Sequence, residues 1–276
     1  MSFLIVGDSC CDFTGAEMKK GYFRSAPLIL TVGNKEIIDD ENVDTEQLIK
    51  LMAECSDAPR SACPSPEEFI SRFEGGDEIY VVTLSSKLSG SYNSAMLARQ
   101  IYLSEHPEVK IHVFDSKSAA AAQHLICEKI EECALAGMAF KDVVSTVNQY
   151  ISNQKTYFVL DDLSVFIKNG RVPRVKGAMA NVLNIKPVLA GDDGEIVQLD
   201  QGRGMNRALN RMLWQIEKLG YDKTRKVEIT ECQSYERCMN VRKILMEKFG
   251  FKNVAVIKAH GISTLYENAG GVVLSF

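Results

Sequence analysis

Ile79-Tyr80-Val81-Val82-Thr83-Leu84-Ser85-Ser86-Lys87-Leu88-Ser89-Gly90-Ser91-Tyr92 reads as a buried strand that passes through a hydroxyl-rich turn into a helix. The run from Ile79 to Val82 is apolar and rich in β-branched residues, which suits a strand covered on both faces. Beyond the turn, Tyr92, Ala95, Met96, Arg99, Ile101 and Tyr102 recur at helical spacing. A helix start leaves its first N–H groups unpaired and carries the positive end of the dipole. Hydroxyls and a glycine gathered there form a place for a carboxylate or phosphate. The plainer alternative is that Ser89 or Ser91 caps the helix.

Working outward, Phe3 to Val6 predicts a first strand closed by Gly7-Asp8-Ser9-Cys10-Cys11-Asp12, and Val109 to Phe114 a later one ending in Asp115-Ser116-Lys117-Ser118. In a parallel sheet these ends lie along one edge, so Asp8-Ser9, Ser85-Ser86 and Asp115-Ser116 converge on one crevice. Pro27 to Val32 and Lys35 to Ile38, joined by Gly33-Asn34, predict a hairpin. Arg60 to Pro64 reads as a rigid loop into a helix whose start is set by Ser65 as N-cap, Pro66 in the first position and Glu68 in the capping box. Helices are expected over 44–54, 92–105, 118–136 and 141–153. Strand and helix alternate, so residues 1–155 are expected to form an α/β domain with a mostly parallel sheet flanked by helices.

Residues 156–276 are patterned differently. A strand at Tyr157 to Leu160 and a helix to Lys168 lead into the basic loop Asn169 to Lys176 and a further helix to about Leu183. Ile185 to Leu189 and Glu195 to Leu199, turned by Asp192-Asp193-Gly194, form a hairpin, followed by a helix to Leu219. Strands at 226–230, 254–258 and 272–276 surround a helix at 234–249. Hairpins with few crossovers predict a second α/β domain whose sheet is largely antiparallel.

The length favours two domains, and a hydrophobic share of 46% can fill their cores. The net charge of −4 with no long Lys/Arg run argues against duplex nucleic acid as main partner. No segment is apolar enough to span a membrane and the start lacks a signal-peptide pattern, so a cytoplasmic location is expected. The eight cysteines show no C-x-x-C spacing, and Cys127 and Cys133 fall about 240° apart on their helix, so free buried thiols are expected.

Several chemistries lack their residues. Gly7-Asp8-Ser9 invites a serine-esterase reading with Ser9 as nucleophile, but no His among His106, His112, His124 and His260 follows an Asp by three, and there is no G-x-S-x-G elbow. The P-loop, H-E-x-x-H and G-x-G-x-x-G patterns are absent as well. No cofactor or metal is called for. A binding protein for a small carboxylate or phosphate remains as another reading.

In order and spacing the chain resembles the DegV family. The likeness is carried by Asp8-Ser9 with Asp12, Pro64-Ser65-Pro66 with Glu68-Phe69, Leu84 to Tyr92 with Ser94-Ala95, and Asp115-Ser116-Lys117. It continues through Leu163 to Arg171, Asn184 to Pro187, Arg203-Gly204 and His260, and so covers nearly the whole chain. The resemblance implies a DegV-like two-domain architecture that buries a long-chain fatty acid between domains 1–155 and 156–276. It implies a carboxylate held by Ser61, by Ser89 with the Gly90 backbone and by neighbouring Ser86, with Arg171, Arg203 and His260 near the head group or serving its phosphorylation by a separate fatty acid kinase subunit. The protein would then be a lipid-binding partner without catalysis of its own. Departures from the family pattern are Ala62 beside Ser61, the series Ala120, Ala122 and His124, which implies a narrower pocket, and the rewritten segment after His260, which bears on kinase docking.

Overall fold

The computed structural model describes residues 2–172 and 184–276. In chain order its elements are β1 (Phe3–Asp8), α1 (Gly15–Met18), β2 (Phe23–Ala26), β3 (Ile29–Val32), β4 (Lys35–Ile38), α2 (Thr45–Glu54), β5 (Arg60–Ala62), α3 (Pro66–Ile70), β6 (Glu78–Thr83), α4 (Ser91–Glu105), β7 (Lys110–Asp115), α5 (Ala121–Leu135) and α6 (Phe140–Asn153). They continue with β8 (Thr156–Val159), α7 (Ser164–Lys168), β9 (Ile185–Asp192), β10 (Glu195–Arg203), α8 (Met205–Lys218), β11 (Lys226–Glu231), α9 (Tyr235–Glu247), β12 (Asn253–Lys258), α10 (Gly261–Glu267) and β13 (Val272–Ser275). The helix expected up to Leu183, and the basic loop beyond Val172, lie outside the described residues.

Four parallel strands in the order β2-β1-β6-β7 form the first sheet. Successive side chains of a strand point to opposite faces, and both faces here are covered. Ile5, Tyr80, Val82 and Phe114 pack with Ile126, Ile130, Val143 and Val147 from α5 and α6, whereas Leu4, Val6, Ile79 and Val81 pack with Phe69, Phe73, Ala95 and Ala98 on the other side. That two-sided burial is why β1 and β6 read as unbroken apolar runs. The chain leaves β1 for β2 on one side and returns to β6 on the other. The order therefore switches between β1 and β6, and a crevice opens at their carboxyl ends.

The second sheet has six strands in the order β10-β9-β8-β13-β11-β12, and only β11 and β12 run parallel. Tyr157 and Val159 of β8 face the core shared with α8 and α9, while Phe158 faces the other way with Leu189, Ile196 and Val273. A smaller antiparallel sheet, β4-β3-β5, places Leu30 opposite Ser61.

Three elements differ from the sequence reading. Arg60–Ala62 is a strand rather than part of a rigid loop, and Phe23–Ala26 pairs with β1. The segment after His260 forms α10, whose Ile262 N–H is taken by Asp39 Oδ2 at 2.9 Å, a partner remote in sequence. No helix among the described residues is long and apolar enough to cross a membrane.

Candidate functional site

The turn after β6 is held from both sheets. Leu84 N–H donates to Asp8 Oδ2 at 2.7 Å, which joins the ends of β1 and β6. Ser85, fully buried, donates its hydroxyl to Gly194 O at 2.7 Å, in the β9–β10 turn. Gly194 has φ +86, and a Cβ there would come within 2.7 Å of Ser85 Oγ, so glycine is required twice over. Lys87 and Lys117 both reach Asp193 of that turn.

Beneath this joint lies a cavity of about 370 Å³, inside the usual range for small-molecule pockets. Phe158, Leu160, Ile196 and Val273 from the second sheet face Leu28, Leu84 and Leu88 from the first half. The polar part of its lining includes Ser61, Ser89, Gly90 and Arg171 at the end near the start of α4, and also Lys117, Ser118, Thr156, Glu195, Ser263 and Glu267. Gly90 is the N-cap of α4, and a Cβ on it would stand 3.0 Å from Cys63 Sγ, so glycine lets the strand bearing Ser61 close on the helix start. Ser89 Oγ accepts from Ser91 N–H at 3.2 Å, a weak form of the capping role. Its own proton has only the 3.4 Å contact with Ser91 Oγ, beyond the usual hydroxyl range. Arg171 is drawn to this end because Nε donates to Leu88 O at 2.7 Å, and Nη1 to Asn169 O at 2.7 Å.

The other singled-out residues stand elsewhere. Ser86 is exposed and bonds both backbone and side chain to Asp115. Arg203 is exposed at the end of β10, opposite Ile185. His260 does not line the cavity. Its ring Nδ1 lies 3.1 Å from Asp39 Oδ1, a contact that raises its pKa, and its N–H donates to Asp12 Oδ1 at 2.8 Å. Ser263 Oγ donates to the other oxygen of Asp12 at 2.7 Å. Burial pushes Asp12 up to about 7 and Asp8 up to about 6, against the pull of these hydrogen bonds.

Ser9 belongs to the same network. It is buried, donates to Asp39 Oδ2 at 2.7 Å and accepts from Leu28 N–H at 3.1 Å. Asp39 thus stands between Ser9 and His260. A nucleophile needs its base next to it, with the carboxylate beyond, and this order is the reverse. Asp12, and Ser9 through Asp39, act here as a joint that fastens the end of β1 to the start of α10, while Asp8 ties β1 to β6.

Residues that the sequence did not mark also face the cavity. Thr156 Oγ1 lies 2.8 Å from both Ser118 Oγ and Ser275 Oγ, forming a hydroxyl chain in the wall. Glu267 of α10 lines it too. Ser118 closes the Asp115-Ser116-Lys117 motif, but Thr156 carries no local signal. Outside the cavity, Glu17, His124 and Glu128 offer ligand atoms within 4.8 Å of one another. His124 already places Nε2 2.9 Å from Glu17 and Nδ1 2.8 Å from Glu228, so carboxylates occupy both ring nitrogens. All eight cysteines are free.

A family model described as "Uncharacterised protein, DegV family" matches residues 2–275, and the chain belongs to the DegV family. A DegV domain-containing protein of Streptococcus pneumoniae is 32% identical over 279 residues, covering 100% of this chain and 99% of that one. Among solved structures, a DegV family protein from Ruminococcus gnavus with vaccenic acid is 38% identical, with a TM-score of 0.96 and 100% of both chains covered. The fatty acid kinase (Fak) B3 protein of Streptococcus pneumoniae, loaded with linoleic acid, is 30% identical, with a TM-score of 0.93 over 100% of this chain and 99% of that one.

Proposed function

We propose that this protein binds a long-chain fatty acid in the cavity between two α/β domains, 1–155 and 156–276, and presents its carboxylate to a separate kinase in the cytoplasm. The observation that supports the reading is the cavity itself: a largely apolar body whose lining includes Ser61, Ser89, Gly90 and Arg171 around the start of α4. Burying about fourteen methylenes at roughly 0.8 kcal/mol each offers on the order of 11 kcal/mol before the costs of association. The carboxylate taken out of water must be satisfied, and hydroxyls, the α4 N-terminus and a guanidinium supply charge-assisted hydrogen bonds.

The kinase step rests on the likeness to the Fak B3 protein. Arg203 and His260, which lie outside the cavity lining, are assigned to that encounter rather than to holding the acyl chain, and Ser86 to the rim. The protein contributes no chemistry of its own in this reading. Extraction of the purified protein with organic solvent and mass spectrometry tests it: about one fatty acid per chain is expected. Protein that yields none and takes up neither palmitate nor oleate would remove the reading.

A further inference from the structure

Ala120 holds a backbone conformation made for glycine. It is the second residue of a tight turn from Ala119 to Ala122, closed by Ala122 N–H donating to Ala119 O at 3.1 Å. Its φ of +50 and ψ of −126 are those of a type II′ turn, where Gly, Asn and Asp dominate because a Cβ is strained. The other non-glycine residues with positive φ among those described, such as Asp12, Asn184 and Asn268, all carry polar side chains; Ala120 has only a methyl. The turn is pinned from both sheets, so the strain does not relax. Ala120 N–H donates to Cys10 Sγ at 3.4 Å, just beyond β1, and Ala121 N–H donates to Thr230 Oγ1 at 3.2 Å, in β11. A methyl retained against strain calls for a use, and its position supplies one. Of Ala120, Ala122 and His124, only Ala120 lines the cavity. Its N–H is engaged by Cys10 and its C=O accepts from His124 N–H at 3.1 Å, which leaves the methyl side of the residue to face the ligand. It stands on the loop after β7, at the start of α5, away from the α4 start where Ser89 and Gly90 lie.

We infer that Ala120 is a specificity-determining residue whose methyl ends the room for the acyl chain and so sets the longest fatty acid that the cavity takes. The inference rests on the fatty-acid reading and adds to it the wall that meets the apolar end of the ligand. Each methylene that finds room strengthens binding about fourfold, whereas one forced against a close-packed wall weakens it.

The test is the affinity of unbranched saturated fatty acids, at every chain length from myristic to arachidic acid, for delipidated wild type, Ala120→Gly and Ala120→Ser, with the Tm of each delipidated protein from calorimetry. Wild-type affinity should climb with chain length to a maximum and then fall. Ala120→Gly removes the Cβ and should move that maximum to a longer acid, which it binds about fourfold to fifteenfold more tightly than the wild type does. The same variant should raise Tm by roughly 2 °C or more, because the strain is released. Ala120→Ser keeps the Cβ and adds an oxygen, so the maximum should move to a shorter acid with no gain in Tm. A maximum that Ala120→Gly leaves in place, an equal loss of affinity at every length, or a Tm that falls on Ala120→Gly overturns the inference and leaves the fatty-acid reading standing. Binding of no acid in the series by the wild type removes the fatty-acid reading and the inference together.

Discussion

Ser89 shows how one side chain serves two purposes. Its oxygen accepts from Ser91 N–H, but its proton points to no partner closer than 3.4 Å, which leaves a donor available at the polar end of the cavity. Replacement by alanine should therefore weaken oleate binding by about 1–3 kcal/mol, the cost of one unpaired buried acceptor on the ligand. Titration of the delipidated variant checks this, and unchanged affinity would take Ser89 out of the site. Ser89 and Gly90 were legible because a hydroxyl cluster at a helix start has a local physical meaning. Thr156 and Glu267 were not, since a strand or helix residue faces the cavity only by virtue of the elements packed around it.

At the level of elements, the two main sheets are fastened by a buried bridge. His124 of α5 lies between Glu17 of α1 and Glu228 of β11, and is itself only 3% exposed. Hydrogen bonds and charge from Glu17 and Glu228 outweigh burial and raise the His124 pKa well above its ordinary value. Glu17 in turn is lowered to about 2, its burial cost being overcome by His124 and Thr14. The raised His contributes stability fully below about pH 6.5, and this is lost as pH rises through its folded value. The lowered Glu contributes above about pH 4.5, and this is lost as pH falls toward 2. The bridge is thus strongest between about pH 4.5 and 6.5. His124→Gln should cost about 3 kcal/mol or more in urea unfolding at pH 6, because buried Glu228 is left with only the 3.9 Å contact to Lys226, and the gap from the wild type should narrow at alkaline pH. A gap that does not change with pH would contradict a charged bridge. In sequence His124 suggested only a bulkier residue at the pocket, because its partners lie 107 and 104 residues away. The same distance effect hid α10 and β5: a short helix over Ile262, Ser263 and Thr264 depends on Asp39 at its start, and a three-residue strand depends on β3 beside it. The hairpins and the parallel strands, by contrast, carry their signals in turn residues and unbroken apolar runs.

For the whole molecule, the cavity has walls from the second sheet, from the loops at the carboxyl ends of β1, β6 and β7 and from α10, so a ligand bound there would stabilise the fold. Binding to the folded state alone adds about 2.7 kcal/mol when free ligand is a hundred times Kd. Saturating the delipidated protein with oleate should raise Tm by roughly 5 °C or more, as followed by calorimetry. An unchanged Tm at saturation would mean that oleate does not bind the folded chain. The most direct measurement is a crystal structure of the protein loaded with oleate. The account predicts the acyl chain along Phe158, Leu160 and Ile196, with the carboxylate within hydrogen-bonding distance of the Ser61 and Ser89 hydroxyls. A cavity that stays empty, or a carboxylate seated at another wall, would contradict it.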